Sequence, residues 1–386
     1  MKNIRRIFLP ETARRLAQIF ALAGIVVFSA VPFSCQLTEE GVQIVGGDFS
    51  APVLENLTVL DSTTLRLSFS EPVHLRGIVV SPHVPEISDS DLVSYNQSLA
   101  PSLAAATGEY GSIDVEARAD EDGKNFTLIM SQATEIGKSY EVYGIAEDEV
   151  GNSLTFCIPF IGYNSMVPRV IITELQVKYA KGSSQGNTIY RGEYAEFLAL
   201  EDGNLAGLVL ESASDGRDKD YRFPAIEVSK GEVFLVHLRT VGEGCVNEDG
   251  DDLSLATAPH SAEGIRDLWS DNTTARLHDT VDVIILRDTV HGVVMDAVMY
   301  AAPDSTEWKS AVGEYAIEAS LSGVYASSQI SSASSSTGLT VLKSLNRTNA
   351  AEIRDFVMAD SGGDWDFPFK SDESTWVVEA CTPGTL

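Results

Sequence analysis

Residues 277–300 read LHDTVDVIILRDTVHGVVMDAVMY. This stretch contains two short apolar runs, at 284–286 and 293–298, separated by a turn that includes Gly292. Runs of this length that are rich in Val and Ile are typical of β-strands. Glycine allows the chain to turn tightly between the two runs. We therefore predict two neighbouring strands in a β-sheet.

Two aspartates, Asp282 and Asp296, interrupt these otherwise apolar strands. In an exported β-sandwich such residues usually face solvent or accept hydrogen bonds from turn amides, and we expect that here rather than metal binding. Other strand-like runs precede the pair along the chain. They lie at 170–175, 195–200, 205–210 and 230–236.

The order of these fragments resembles the lamin-tail domain, an immunoglobulin-like sandwich found in nuclear lamins and in many exported bacterial proteins. The chain also supplies the family's closing fragments, which are Ser344-Leu-Asn-Arg347, Trp376 and Thr382-Pro-Gly384. The resemblance implies a lamin-tail-like domain over residues 168–386. The chain departs from the family pattern at Thr173, at Ala206-Gly207 and at Val281, and it has apparent insertions at 247–252 and 327–336.

The first half of the chain also has the pattern of a β-sandwich. Residues 65–69, LRLSF, alternate apolar and polar side chains, as a half-buried strand does. Asp/Gly/Asn turns separate further short runs at 113–117, 126–130 and 140–145. Residues 52–162 resemble bacterial immunoglobulin-like domains of the surface-layer type, with an irregular insertion predicted at 76–112. The predicted fold class is therefore all-β, with two immunoglobulin-like sandwiches.

The N-terminus has the layout of an export signal. Arg14-Arg15 precede an apolar run at 16–33, and Ser34-Cys35 follow it. We predict a signal peptide at 1–34 and a lipoprotein in which Cys35 is acylated, followed by a tether over 35–51. Pro32 stands where a lipobox usually has Leu. An uncleaved membrane helix and a cleaved, soluble secreted form remain alternatives.

Charge limits the classes of partner. The formal net charge is −29, and residues 1–34 contribute +4, so the remainder carries −33. Such a surface repels nucleic acid, and we expect no nucleic acid partner. Anionic lipid heads are repelled as well, so membrane attachment is expected through the lipid on Cys35 and not through a basic patch.

Three cysteines besides Cys35 are present. Cys157 lies in the apolar run LTFCIPF, where we expect a buried, small hydrophobic side chain. Cys245 and Cys381 are available to form a disulfide in an oxidising compartment.

The sequence offers no recognisable catalytic constellation. Its six histidines have no metal-ligand spacing, and neither a nucleophile elbow nor a phosphate-binding or dinucleotide loop is present. His237, His278 and His291 are expected to be structural or surface residues. Two acidic loops, 120–125 and 247–252, are expected to be solvated turns that bind calcium weakly at most. We predict no catalytic residue, no metal site and no cofactor.

These observations predict a non-catalytic lipoprotein of the bacterial cell envelope, anchored to a membrane by palmitate or a similar acyl chain. Two sandwiches without an active site suit binding or structural display, since sandwich edges and loops commonly serve recognition. The partner is an unidentified protein or glycan. The alternative is an accessory subunit of a surface hydrolase or nuclease.

Overall fold

The computed structural model describes residues 34–38, 41–45, 50–82, 112–214, 220–359 and 369–386. Apart from Ser34, the predicted signal peptide lies outside these residues. The backbone of Ser34–Thr38 (β1), whose first residue belongs to the predicted signal peptide, pairs antiparallel with Gly41–Val45 (β2) in the predicted tether. The tether therefore contains a two-stranded hairpin.

Seven strands form the N-terminal sandwich, which we define as residues 54–161. They are Leu54–Asp61 (β3), Thr64–Phe69 (β4), His74–Pro82 (β5), Ile113–Ala119 (β6), Asn125–Met130 (β7), Ser139–Glu147 (β8) and Ser153–Ile161 (β9). Their spatial order is β3-β4-β7-β6-β5-β8-β9, and all neighbours run antiparallel.

This sheet folds over a single hydrophobic core. Leu65, Leu67 and Phe69 alternate inward along β4 as the sequence predicts. Phe69 contacts Phe156 of β9, at the other end of the sheet, with ring centroids 5.9 Å apart. The prediction of an irregular stretch at 76–112 is wrong for its first residues, because β5 continues to Pro82 through a bulge between Arg76 and Val79.

Two sheets form the C-terminal sandwich, residues 170–386. The first comprises Val170–Gln176 (β10), Tyr194–Ala199 (β13), Val233–His237 (β18), Arg266–Trp269 (β19), Lys343–Arg347 (β23) and Trp376–Ala380 (β24). The second comprises Val209–Ser212 (β15), Tyr221–Arg222 (β16), Asp282–Arg287 (β20), Val294–Ala301 (β21) and Ser334–Ser335 (β22). The six-stranded sheet has the order β19-β18-β13-β10-β23-β24, and the five-stranded sheet has the order β16-β15-β20-β21-β22.

Two small antiparallel pairs complete the strands of the described chain. One joins Ala180–Ser184 (β11) to Asn187–Arg191 (β12), and the other joins Gly203–Asn204 (β14) to Glu227–Val228 (β17). Together with the two sandwiches, they confirm the predicted all-β class.

Two short helices that were not predicted from the sequence cover the outer faces of the C-terminal sandwich. Ser310–Leu321 (α1) packs on the outer face of β20 and β21, and Ala350–Met358 (α2) packs on β10, β13 and β18. A further 3₁₀ turn spans Ile330–Ser332. The central strands are therefore buried on both faces, which explains why their sequences read as unbroken apolar runs.

Neither α-helix of the described chain has the length and hydrophobicity of a membrane span.

The two sandwiches touch at a close-packed junction. Gly137, in the turn before β8, lies so close to Ala206 and Ala225 that a Cβ there would come 3.0 and 2.5 Å from theirs. The Asn164 amide in the connecting segment donates to the carbonyl oxygens of Asn204 and Ala206 at 2.6 and 2.9 Å. The connecting segment is therefore tied down on the C-terminal sandwich.

Candidate functional site

The predicted lipidation site, Cys35, lies in β1. The structure describes the backbone at this position, and the Cys35 side chain lies outside the described part of the chain. Acylation of Cys35 stays a prediction.

The other cysteines differ from their predictions. Cys157 is exposed, so the prediction of a buried side chain is wrong. Strand alternation is the reason, because Phe156 and Phe160 occupy the core face of β9 and Cys157 lies on the opposite face. Cys245 and Cys381 are both free thiols, and the disulfide considered for them is not formed.

A buried His–Asp pair lies at one edge of the six-stranded sheet. Strands β18 and β19 run parallel, with His237 opposite Trp269. His237 Nε2 is 2.5 Å from Asp267 Oδ1, and the imidazole stacks on the Trp269 indole with centroids 3.7 Å apart. His237 is the last residue of β18. Its pairing with Asp267 was missed because it depends on a parallel register between strands 30 residues apart.

A second histidine approaches the same region. The ring of His260 lies 5.2 Å from that of Tyr194, which in turn lies 5.9 Å from His237. Burial lowers the pKa of His260 to about 4, so it is neutral at physiological pH. The remaining histidines lie apart from this pair, with His74 at the start of β5, His278 before β20 and His291 in the β20–β21 turn, while His83 lies outside the described residues.

A pair of buried carboxylates occupies the middle of the same sheet face. Glu174 on β10 is the cross-strand partner of Glu196 on β13. The Tyr194 hydroxyl donates to Glu174 at 2.6 Å, and the Ser344 hydroxyl donates to the same oxygen. The Thr173 hydroxyl donates to Glu196 at 2.7 Å. Residues from three separate sequence fragments thus meet at these two acids.

Residues 381–386, which we name the C-terminal segment, cover the two carboxylates. The backbone N–H of Thr382 donates to Glu174 Oε1 at 3.2 Å, and that of Gly384 donates to Glu196 Oε2 at 2.6 Å. The Thr382-Pro-Gly384 fragment singled out in the sequence therefore fastens the chain end onto the sheet.

The two aspartates of the opening stretch do not face solvent. Asp296 is 1% exposed and forms an ion pair with Arg347, at 2.5 Å, while it also accepts a hydrogen bond from the Ile172 N–H at 2.8 Å. The expectation of a solvent-facing or turn-capping role is wrong for Asp296, because β21 is covered on both faces. Asp282 is also fully buried and accepts hydrogen bonds from loop amides, including Ser214 N–H at 3.0 Å, which is the second role expected for it.

Burial favours the protonated, neutral forms of Glu174 and Glu196. Burial raises the pKa of Glu196 to about 8, and it also raises the pKa of Glu174. A catalytic acid or base must reach a proton on its substrate. Glu174 and Glu196 are each 1% exposed, and both accept hydrogen bonds from their own chain. These hydrogen bonds therefore hold the strands and the C-terminal segment together.

A recess of about 370 Å³ lies between the C-terminal segment and the N-terminal end of α2. Glu196, Thr173 and Thr382 line it. The Glu196 oxygens point to Thr173 and Gly384, and the carboxylate remains covered.

The acidic loops form structured turns. In the 120–125 loop, Asp122 Oδ1 accepts hydrogen bonds from the amides of Lys124 and Asn125 at 2.8 and 3.2 Å, as in an ordinary hairpin turn. In the 247–252 loop, Glu248 is 1% exposed and accepts hydrogen bonds from three backbone amides, so the prediction of a solvated turn is wrong for that residue. Among the described residues, no group of three or more acidic, His or Cys side chains is arranged to hold a metal ion.

An open groove of about 440 Å³ lies beside the β11–β12 hairpin. One wall is residues 186–190, and the other is Pro259 with residues 241–243. The Tyr190 ring packs against Gly242, where a Cβ would come 2.9 Å from the ring. Unlike the carboxylate pair, this groove is open to a partner.

Comparison with known proteins identifies one curated relative and some distant structural likenesses. An uncharacterized protein of Treponema pallidum (strain Nichols) is 27% identical over 222 residues, or 56% of this chain. This chain spans about half of that relative's length, 52%.

Two of the similar solved structures are β-rich but very distant. The N-terminal part of the bacterial S-layer protein SbsC is 14% identical, with a TM-score of 0.23, over 66% of this chain and 45% of that one. A DUF4876 family protein from Bacteroides thetaiotaomicron is 10% identical, with a TM-score of 0.26, over 75% of this chain and 84% of that one.

A family match covers the C-terminal sandwich. Residues 168–378 match TP_1001_2nd, a family described as a protein second domain. The match includes Glu174, Glu196, Asp296 and Arg347, whose side chains make the buried contacts described above. Since it spans more than half of the 386 residues, the chain belongs to the TP_1001_2nd family.

Proposed function

We propose that this protein is a non-catalytic lipoprotein of the bacterial cell envelope that serves as a binding or structural display module. The proposal rests on the internal contacts of four polar motif residues. Glu174, Glu196, Asp296 and Arg347 are buried and bonded to their own chain. They stabilise the C-terminal sandwich and leave recognition to open surfaces such as the groove beside β12.

The lamin-tail resemblance is part of this proposal. Its quoted fragments supply the residues that meet in the buried network, including Glu174, Ser344 and Thr382. These fragments are spread over some 200 residues, and buried hydrogen bonds hold them together. Such an arrangement is expected of a structural signature. A catalytic signature would instead place its polar groups where a substrate can reach them.

Attachment through Cys35 is the second part. The basic flank and apolar run before Ser34-Cys35 support export, with the remaining chain outside the cytoplasm. A charge of −33 after residue 34 argues against binding to anionic lipid heads or nucleic acid. An acyl chain on Cys35 supplies the membrane affinity that the protein surface lacks.

Metabolic labelling with an alkyne-tagged fatty acid tests the anchor. The wild type and a Cys157→Ala variant are expected to incorporate the probe, whereas Cys35→Ala is not. Cys157 is the matched control because it is an exposed cysteine with no predicted role. Equal labelling of wild type and Cys35→Ala contradicts the anchor.

Activity screening tests the non-catalytic part. We expect no turnover of broad phosphoester, ester, peptide and glycoside panels by the purified protein. Turnover that disappears in Glu196→Gln or His237→Gln, with the fold retained, contradicts the proposal.

A further inference from the structure

The Cys381 thiol contacts the side-chain amide of Gln176. Cys381 Sγ lies 2.9 Å from Gln176 Nε2, although the two residues are 205 positions apart in the sequence. Gln176 is the last residue of β10, and Cys381 follows Ala380, the last residue of β24. The fold therefore places a nucleophilic atom against an amide group, and these are the two reacting groups of an acyl transfer.

The sulfur approaches this amide closely. Gln176 Nε2 also donates to the carbonyl oxygens of Thr340 and Lys343, at 3.1 and 3.2 Å. A glutamine amide nitrogen has two hydrogens, so the three acceptors cannot each receive their own. Since the amide C–N bond is about 1.3 Å long, Gln176 Cδ lies at most about 4.2 Å from the sulfur, which is close to the attack distance of about 3–3.5 Å.

The surroundings of the Gln176 amide favour addition at its carbonyl carbon. Gln176 Oε1 accepts a hydrogen bond from the backbone N–H of Lys178 at 2.7 Å. A fixed N–H donor at this oxygen stabilises the negative charge that develops there when a nucleophile adds. Gln176 is 0% exposed, so bulk water is kept away from the reacting carbon.

The thiol is held by hydroxyl groups and is not used in a disulfide. Burial raises the pKa of the Cys381 thiol, and hydrogen bonds from Ser344 and Gln176 offset part of this rise. The Tyr194 hydroxyl contacts the same sulfur. Cys381 is a free thiol, as is Cys245. A nucleophile, an amide and an oxyanion donor therefore meet where the C-terminal segment crosses the sheet.

We propose that Cys381 and Gln176 react with each other to form an internal thioester. Cys381 Sγ adds to Gln176 Cδ, so that an S–C bond forms and the Cδ–Nε2 bond breaks. The thiol proton passes to the departing nitrogen, which leaves as ammonia. The reaction needs no oxidant, reductant or second substrate.

The product would be a covalent bond between β10 and the C-terminal segment. This bond lies beside the hydrogen bonds through which Glu174 and Glu196 hold the same segment. A crosslink between residues 205 positions apart restricts the unfolded chain, as a long-range disulfide does. The inference concerns a modification of the chain itself and goes beyond the proposed binding function.

Intact mass tests the proposal on the purified full chain, denatured in acid without reductant or amines. The wild type is compared with Cys381→Ala and with Cys245→Ala, which removes the other half-buried free thiol and serves as the matched control. We expect the wild type and Cys245→Ala to lie below their calculated masses by one ammonia molecule. Cys381→Ala is expected at its calculated mass. All three proteins share one N-terminus, so the comparison is independent of acylation at Cys35.

Peptide mapping then locates the bond. Trypsin releases residues 170–178, which contain Gln176, and residues 371–386, which contain Cys381. We expect these peptides to form one linked species that hydroxylamine separates, and hydroxylamine to release one further titratable thiol per chain in urea. Gln176→Glu lacks the departing nitrogen and is expected to give no linked species.

Two outcomes overturn the proposal, and both are measured on the wild type. One is an intact mass at the calculated value with Cys381 fully titratable in urea. The other is an ammonia loss that maps to other residues. Fatty-acid labelling and activity screening measure different properties, so failure of the thioester is distinguishable from failure of the proposed function.

Discussion

Glu174 and Glu196 face each other across β10 and β13, and each accepts a backbone hydrogen bond from the C-terminal segment. Both side chains are 1% exposed. A buried carboxylate is costly unless it is hydrogen-bonded or protonated, and both conditions are met in part here. The chain end is therefore held on the sheet by two acids from the centre of the sheet.

The pH dependence of stability follows from Glu196. Its pKa is raised by burial from 4.5 to about 8, so folding favours the protonated acid. Its stabilising contribution is complete below about pH 4.5 and is lost as the pH rises through about 8. We expect the free energy of unfolding, measured in urea, to fall between about pH 5 and about pH 8.5.

A Glu196→Gln variant separates this effect from other titrations. Glutamine mimics the protonated acid. Between about pH 5 and about pH 8.5, the free energy of unfolding of the variant should therefore fall by a few kcal/mol less than that of the wild type, at about 1.4 kcal/mol per pKa unit. Parallel pH curves for the two proteins would show that Glu196 is not the group responsible.

The amide of Thr382 provides a test of the C-terminal segment. Thr382→Pro removes the backbone N–H that donates a hydrogen bond to Glu174, so this buried acid loses one hydrogen-bond donor. We expect a loss of about 1–3 kcal/mol in the free energy of unfolding. Thr382→Ala keeps the amide and should cost clearly less. Equal losses for the two variants would place the effect in the side chain.

Much of the strand pattern could be predicted from the sequence. The alternation at 65–69 gives β4, and the apolar runs around Gly292 give β20 and β21. Helix α1 also has a sequence signal, because its buried side chains recur every three or four residues. They are Val312, Tyr315, Ala316 and Ala319. This signal was missed because the sandwich pattern offered no reason to expect a helix on an outer face.

The buried network could be predicted only in part. The fragments containing Glu174 and Thr382 are recognisable in the sequence, but their meeting depends on how the chain end crosses the sheet. Asp296 was misassigned because its burial depends on Ile172 and Arg347 of the opposite sheet, which are distant in sequence. The His237–Asp267 contact needs the parallel β18–β19 register, which local sequence does not encode.

The junction between the sandwiches can be tested at Gly137. It has φ +69°, and an added Cβ would lie 2.5 Å from that of Ala225. Gly151 is a matched control, with φ +95° and nothing within 4 Å of the added atom. We expect Gly137→Ala to destabilise the protein by about 1–3 kcal/mol more than Gly151→Ala does.

Limited proteolysis gives an independent reading of the same change. Overpacking at Gly137 should loosen the connecting segment around Asn164 and speed cleavage there, whereas Gly151→Ala should not. Unchanged cleavage together with equal stabilities would mean that the junction contact does not constrain the connecting segment.

The polar motif residues of the C-terminal sandwich are proposed to act as a buried structural network. A double-mutant cycle on Arg347 and Asp296 measures this coupling, with urea unfolding of wild type, Arg347→Met, Asp296→Asn and the double variant. We predict that Arg347→Met alone costs about 3–5 kcal/mol, because it leaves a buried carboxylate without its partner. The double variant should be at least about 1 kcal/mol more stable than the sum of the single losses predicts. Additive losses within about 0.5 kcal/mol would contradict the claim.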